Sequence, residues 1–267
     1  TFCVAFVALL GFVRIPAQSA ASAAREGVLH AVRGGLRFLR QHAGILHLIL
    51  FLAVINLPAS IFSAALPAML LSRAGGGTLA LGAVNTVTGL ATIAGSVLVT
   101  ALPTPKSRVR VIFNALLFSM STENFLLAFG RGLPVWCVAG ALGWLFIPVM
   151  GANMDALLRL SIPVAMQGRV YAARNALQFF TIPIGYLLGG WLVDRVFEPF
   201  MATQPVGGWL TALFGAGPGT GAALLYFVIG VLGALSCLPF RADKAIWGLE
   251  APAQEESPVE QPLPTAD

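Results

Sequence analysis

Six stretches of this chain, each about 20 or more residues long and almost free of charge, decide what it can fold into. They run over roughly 45–71, 80–102, 109–129, 134–157, 175–194 and 220–240. An α-helix rises about 1.5 Å per residue, so about 20 apolar residues carry one across the hydrocarbon of a bilayer. Composition leaves no other solvent for them. Of the 267 residues 57% are hydrophobic and only 10% charged, whereas a water-soluble domain carries about 25% charged residues. The chain therefore reads as an all-α membrane protein, a bundle of six transmembrane helices over 45–240. Residues 1–13 are apolar without a basic leader or a cleavage site, and read as the end of one further spanning helix.

The segments between the spans carry turn chemistry. Gly75-Gly76-Gly77, Pro103-Thr104-Pro105, the Gly130–Pro134 turn and Ser161-Ile162-Pro163 each interrupt a helix, so the spans should form successive antiparallel hairpins. If the connecting loops alternate in side, 13 of the 16 Lys and Arg residues fall on one side, and only Arg73, Arg131 and Arg195 on the other. Basic residues are retained on the cytoplasmic face of a plasma membrane. That places the 14–44 connection and the C-terminus inside, in a bacterial-type inner membrane. Within 14–44, Val28, Val32, Leu36 and Leu39 recur at helical spacing with Arg33, Arg37 and Arg40 between them. This suits an amphipathic helix on the lipid surface or one packed on protein. Trp209, Leu210, Leu213 and Phe214 suggest an interfacial helix on the opposite side. The Pro- and Glu-rich end of 241–267 reads as a disordered cytoplasmic tail.

The net charge of +5 does not point to nucleic acid, because the basic residues are dispersed among short loops and form no contiguous basic face. Cys3, Cys137 and Cys237 lie in apolar runs, and neither they nor His30, His42 and His47 stand at metal-ligand spacing. No nucleophile motif, phosphate loop or redox motif occurs, so neither an enzyme nor a metal or cofactor site is expected.

Polar residues inside the spans are the candidates for function. Ala53, Asn56, Ser60, Ser63 and Pro67 fall on one face of the first span, and Gly82, Asn85, Gly89, Thr92 and Ser96 on one face of the second. Each face can be a helix–helix seam or the lining of a polar cavity. The fifth span carries Pro183, which implies a kink, and Gly185-x-x-x-Gly189, a close-packing spacing. Two carboxylates fall within spans, where charge is costly and hence usually functional. Glu123 lies past the middle of the third span with no basic residue at its depth. Asp155, near the inner end of the fourth, has Arg159 at the i+4 position that favours an ion pair.

Residues 167–200 read QGRVYAARNALQFFTIPIGYLLGGWLVDRVFEPF. With Gln167–Val170, Pro183–Leu188, Asp194–Pro199 and the later Phe214–Gly219, this stretch resembles the major facilitator superfamily, in its macrolide-efflux and siderophore-export branch. Outside about 165–235 the likeness is only general, and the loop at 103–110 keeps only the positive charge of the family's basic loop motif. The resemblance implies the C-terminal half of a 12-helix fold. Residues 1–13 would end helix six, 14–44 would be the central cytoplasmic loop, and an N-terminal half would be a partner alongside the lipid bilayer. It further implies a proton-coupled secondary transporter that exports small amphipathic substrates. A lipid or lysophospholipid transporter on the same fold, a channel component and a non-transporting scaffold are the alternatives. In that architecture the third span stands outside the central cavity. Asn56, Asn85, Asn153, Asp155 and Gln178 are then favoured as cavity residues over Glu123, although Glu123 is the better proton carrier on its chemistry. Gly168 and Arg169 would belong to a conformational loop before the fifth span, with Pro183, Gly185 and Gly189 packing within it.

Overall fold

The structure, a computed structural model, describes residues 28–250. The stretches 1–13 and 14–27 and the tail from 251 onward lie outside the described residues. What is described is helical throughout, without a strand. In order, the helices are α1 (Val28–Gln41), α2 (Ala43–Ser72), α3 (Thr78–Ala101), α4 (Arg108–Phe129), α5 (Leu133–Leu145), α6 (Ile147–Ser161), α7 (Val164–Phe179) and α8 (Thr181–Leu192). A π-helical turn (Val193–Phe197) then leads to α9 (Glu198–Ala202), followed by α10 (Trp209–Phe214), α11 (Thr220–Arg241) and α12 (Lys244–Trp247). Counting α5–α6 and α7–α9 as single kinked rods, six helices are long and apolar enough to cross a membrane. That is the mark of an integral membrane protein.

The fifth rod departs from its expected bounds. It runs from Val164 to Ala202, 39 residues, rather than over 175–194. Arg169, Arg174 and Asn175 dilute its apolar signal, yet after Pro163 nothing stops the helix. Gln167 Nε2 donates to the carbonyl of Ile162 at 3.3 Å, satisfying backbone at the start. Gln167, Gly168 and Arg169, expected in a loop, are therefore the second turn of α7. Beyond Val193 the rod continues as the π turn and α9, because Pro199 lies in the first turn of α9, where a missing N–H costs nothing.

The rods pack as a ring. α2 lies against α8 and α11, α11 against α4, α4 against α5 and α6, and α3 against α5. Small residues set the distances. A Cβ at Gly189 would lie 2.7 Å from the Cβ of Ala64 and 2.8 Å from the carbonyl oxygen of Ile61, and one at Gly185 would strike Ser60. The glycine pair of α8 thus receives the Ser60-x-x-x-Ala64 ridge of α2, the close approach on which helix association in lipid depends. α1 packs on α7, where a Cβ at Gly35 would stand 2.6 Å from the Arg169 carbonyl. So the 28–41 helix rests on protein.

Two apolar cores fill the ring, one toward each end. At the arginine-rich end Leu48, Phe51, Ile112, Phe113, Leu157 and Val170 pack together with Cys237 and Ile246. At the other end Phe62, Met69, Val84, Trp136, Phe214 and Tyr226 do the same. The arginine-rich end is also bound by polar clamps. Glu250 accepts from Ser107 Oγ at 2.9 Å and from the Val109 N–H at 2.7 Å, and His47 Nδ1 stands 2.6 Å from Asp243. Residues 241–250, expected to begin a disordered tail, are ordered by these bonds and by Ile246, which is wholly buried.

At the opposite end Arg73 is buried. Its guanidinium donates to the carbonyls of Leu127 (3.1 Å) and Phe214 (2.9 Å), both at helix C-termini whose acceptors would otherwise be orphaned. It also lies 6.0 Å from the Trp136 ring centroid. Burial pulls this guanidinium below its ordinary value, Arg131 adds to the fall and Glu198 opposes it.

Substituting Gly189 by Leu should force α2 and α8 apart and lower stability by about 1–3 kcal/mol, the usual cost of overpacking. Arg73→Met, which strands two carbonyls, should cost a similar amount or more. Thermal unfolding of the purified protein in detergent would check both.

Candidate functional site

The two kinked rods break in the middle for the same reason. Pro183 has no N–H for the carbonyl of Phe179, four residues back, and its ring crowds that oxygen; α7 accordingly ends at Phe179 and α8 begins at Thr181. Pro148 does the same to Trp144, and the fourth rod parts at Phe146. Around each break a neighbouring helix supplies side-chain donors. The carbonyl of Gln178 accepts from Asn56 Nδ2 of α2 at 3.2 Å and from Thr181 Oγ1 at 3.0 Å. The carbonyl of Gly143 accepts from Ser119 Oγ of α4 at 2.5 Å.

Between the breaks, and between the two apolar cores, lies a cavity of about 190 Å³. Its polar lining is Asn56, Ser63, Ser119, Glu123, Asn124 and Gln178; Phe62, Trp144, Met150 and aliphatic side chains complete it. None of the lining residues is basic. Along α2 the lining stretches from Leu52 to Ser63, the central third of a 30-residue helix, so the cavity sits about midway between the helix ends.

Glu123 is the chemical centre of this cavity. It is 7% exposed and forms no salt bridge among the described residues. The indole N–H of Trp144 faces its carboxylate. Gly143 is the residue that lets α5 pass so close: a Cβ there would collide with the Glu123 carboxyl group. Asn124 follows it, 1% exposed, with Nδ2 tied to the Met120 carbonyl at 2.7 Å and Oδ1 left without a donor.

Among the residues singled out by sequence, Asn56, Gln178 and Glu123 meet here. The cavity lies within the six-helix bundle and takes in Glu123 of the third span, because the kink in the fourth rod brings Trp144 and Ile147 onto Glu123's side of α4. Asn85 is elsewhere. It is exposed on α3, on a face with Gly82, Gly89 and Ser96 where nothing among the described residues approaches either glycine. Asn153 bonds back to the Val149 carbonyl at 2.8 Å and lines a separate open cleft with Pro103, Lys106 and Arg108.

Asp155 is half exposed at the arginine-rich end and pairs with Arg174 of α7 at 3.0 Å, not with Arg159. Arg174 Nε also donates to the Gln178 side chain at 3.3 Å, so a chain of bonds leads from Asp155 to a cavity residue. The fifth rod starts early enough to carry Arg174 past α6, and a cross-helix partner on a neighbouring rod outcompetes one on the same helix. Ser119, Asn124, Trp144 and Arg174 went unmarked by sequence reasoning. Ser119 was the findable one, standing four residues before Glu123 on the same helical face. Gly168 has open space around it, and Arg169 lies under α1.

Among the described residues, fold and site define a helical membrane protein of six spans with a small cavity, midway along its helices, built around one buried carboxylate. No protein-family model, curated protein or solved structure matches the chain.

The collision at Gly143 makes a prediction independent of function. Gly143→Ala should destabilise by about 1–3 kcal/mol through overpacking, and most of that cost should vanish when Glu123 is also changed to Ala. A double-mutant cycle on thermal stability measures the coupling.

Proposed function

We propose that this chain is the C-terminal six-helix part of a secondary active transporter, a proton-coupled exporter of small amphipathic substrates working by alternating access. The observation that carries this reading is the convergence of both helix breaks on a single cavity that holds a buried, unpaired carboxylate. Transporters place substrate and coupling-ion sites near the midplane, between discontinuous helices. A breaking helix leaves backbone polar groups where ligands can reach them, and it gives the rod a place to bend. The likeness of 167–200 to the major facilitator superfamily supports the same reading. So does the Gly82, Asn85, Gly89 and Ser96 face of α3, whose glycines nothing among the described residues approaches. A small polar face left open in lipid is what a bundle awaiting a second half would present.

In this reading Glu123 carries the proton. A carboxylate buried in a small cavity is expensive to keep ionised, so its charge state follows whether the cavity is open to water. Asp155 is a poorer carrier, being half exposed and already neutralised by Arg174. Its part is to hold α6 to α7 at the cytoplasmic mouth.

The test is transport by the complete transporter, this chain together with its N-terminal half, in acid-loaded proteoliposomes, where proton exit should drive uptake of an amphipathic dye. Glu123→Gln should abolish the pH-driven component, and Asp155→Asn should reduce it only a few-fold. Undiminished pH-driven uptake by the Glu123→Gln variant would remove Glu123 as the carrier, and absence of uptake by the unmodified protein would remove the transport reading.

A further inference from the structure

The wall of the cavity holds acceptors that its neighbours leave unsatisfied. Glu123 contributes two carboxylate oxygens, with Trp144 beside it in the lining. Asn124 contributes Oδ1, a buried oxygen with no donor at all. The orientation of that amide is fixed by chemistry: its nitrogen lies 2.7 Å from the Met120 carbonyl oxygen, where only an N–H can sit, so the unsatisfied atom is the acceptor. Asn56, Ser63 and Ser119 hold donors, but each is committed to a backbone carbonyl, and the Gln178 amide, a further donor of the lining, has its Oε1 tied to Arg174. None of the lining side chains is cationic. An unpaired acceptor buried in hydrocarbon is costly, and so is an unpaired carboxylate.

The remaining wall says what kind of molecule could relieve this. Leu52, Ile55, Phe62, Leu116, Ile147 and Met150 are apolar, and the Trp144 ring stands beside the carboxylate. At about 190 Å³ the space is below the roughly 300–1,000 Å³ of drug-sized sites. It suits a small molecule with one cationic, hydrogen-donating end and a compact apolar body.

We infer that the cavity binds a small lipophilic ammonium, its N–H groups donating to the Glu123 carboxylate and supplying the donor that Asn124 Oδ1 lacks. This rests on the reading of the cavity as a transport site and names its substrate class. It also gives coupling a simple form. One carboxylate takes either the ammonium or a proton, so loading one expels the other. Two features separate the idea from non-specific capture of a greasy cation. It requires N–H donors as well as charge, and it assigns the selectivity to Glu123 and Asn124.

The experiment is equilibrium binding of phenethylammonium to the purified full chain in nanodiscs, followed by calorimetry with no gradient present. Phenylethanol serves as the neutral isostere and phenethyl-trimethylammonium as the cation without donors. The unmodified protein should bind phenethylammonium and prefer it to both analogues. Glu123→Gln should weaken binding about tenfold or more, the worth of one charge-assisted hydrogen bond, and Asn124→Leu several-fold. Acidification should weaken binding to the unmodified protein and leave the residual binding of Glu123→Gln unchanged. Monodispersity and thermal unfolding show that each variant is folded, and Glu123→Asp, which restores a carboxylate, should recover part of the affinity. Equal binding of phenylethanol, or unaltered binding by folded Glu123→Gln, would overturn the inference. Gradient-driven dye uptake is measured separately. Uptake without Glu123-dependent ammonium binding removes the substrate assignment and leaves transport standing; Glu123-dependent binding without uptake does the reverse.

Discussion

In hydrocarbon a backbone carbonyl deprived of its helical N–H has no water to turn to, and that constraint organises this molecule. Pro148 and Pro183 each break the hydrogen-bond ladder of a spanning rod near its middle. The rods survive because α2 and α4 bring Asn56 and Ser119 to the carbonyls of Gln178 and Gly143 beside those breaks. Those donors must face inward, and both rods must bend toward them. The polar cavity is the space this leaves between two apolar cores. Glu123 falls in it because it sits one turn beyond Ser119 on the same face of α4.

Much of the architecture was legible in the sequence, and the reason is energetic. A span of about 20 apolar residues is a strong signal because only lipid or a deep core can accommodate it. The side preference of arginine was equally readable. Arg73, Arg131 and Arg195 do lie at one end of the bundle, and Arg73 and Arg131 each reach carbonyls there, including those of Phe214 and Ala212. The kink at Pro183 could be anticipated from proline's missing donor. The break at Phe146 needed the same reasoning applied to Pro148. The length of the fifth rod was hidden, since hydropathy averages away a helix whose first turns carry Arg169 and Arg174.

The site was legible in its chemistry and not in its geometry. Glu123 stood out as a carboxylate without a partner, and the structure places it in a cavity within the bundle. Asn56 and Asn85 looked alike, each on a small polar face with the same spacing. One bonds a carbonyl at a helix break and the other is exposed. Periodicity reports that a face exists; it does not report what the face meets. The exchange of Arg159 for Arg174 as the partner of Asp155 has the same origin, because only the tertiary fold brings Arg174 of α7 within reach of Asp155 on α6.

The clamps at the arginine-rich end divide the molecule mechanically. Glu250 holds the start of α4, Asp243 holds His47 near the start of α2, and Arg241 reaches Asn114 at 2.8 Å. With these ties α2, α4 and α11 form a stiff frame fastened by the segment that follows the last rod. The fifth rod has a tie at the other end as well, where the Glu198 carboxylate accepts from the Ala222 N–H at 3.1 Å, and both it and the fourth rod are cut at their midpoints. Both joints therefore fall at the level of the cavity, and the carboxylate sits between them.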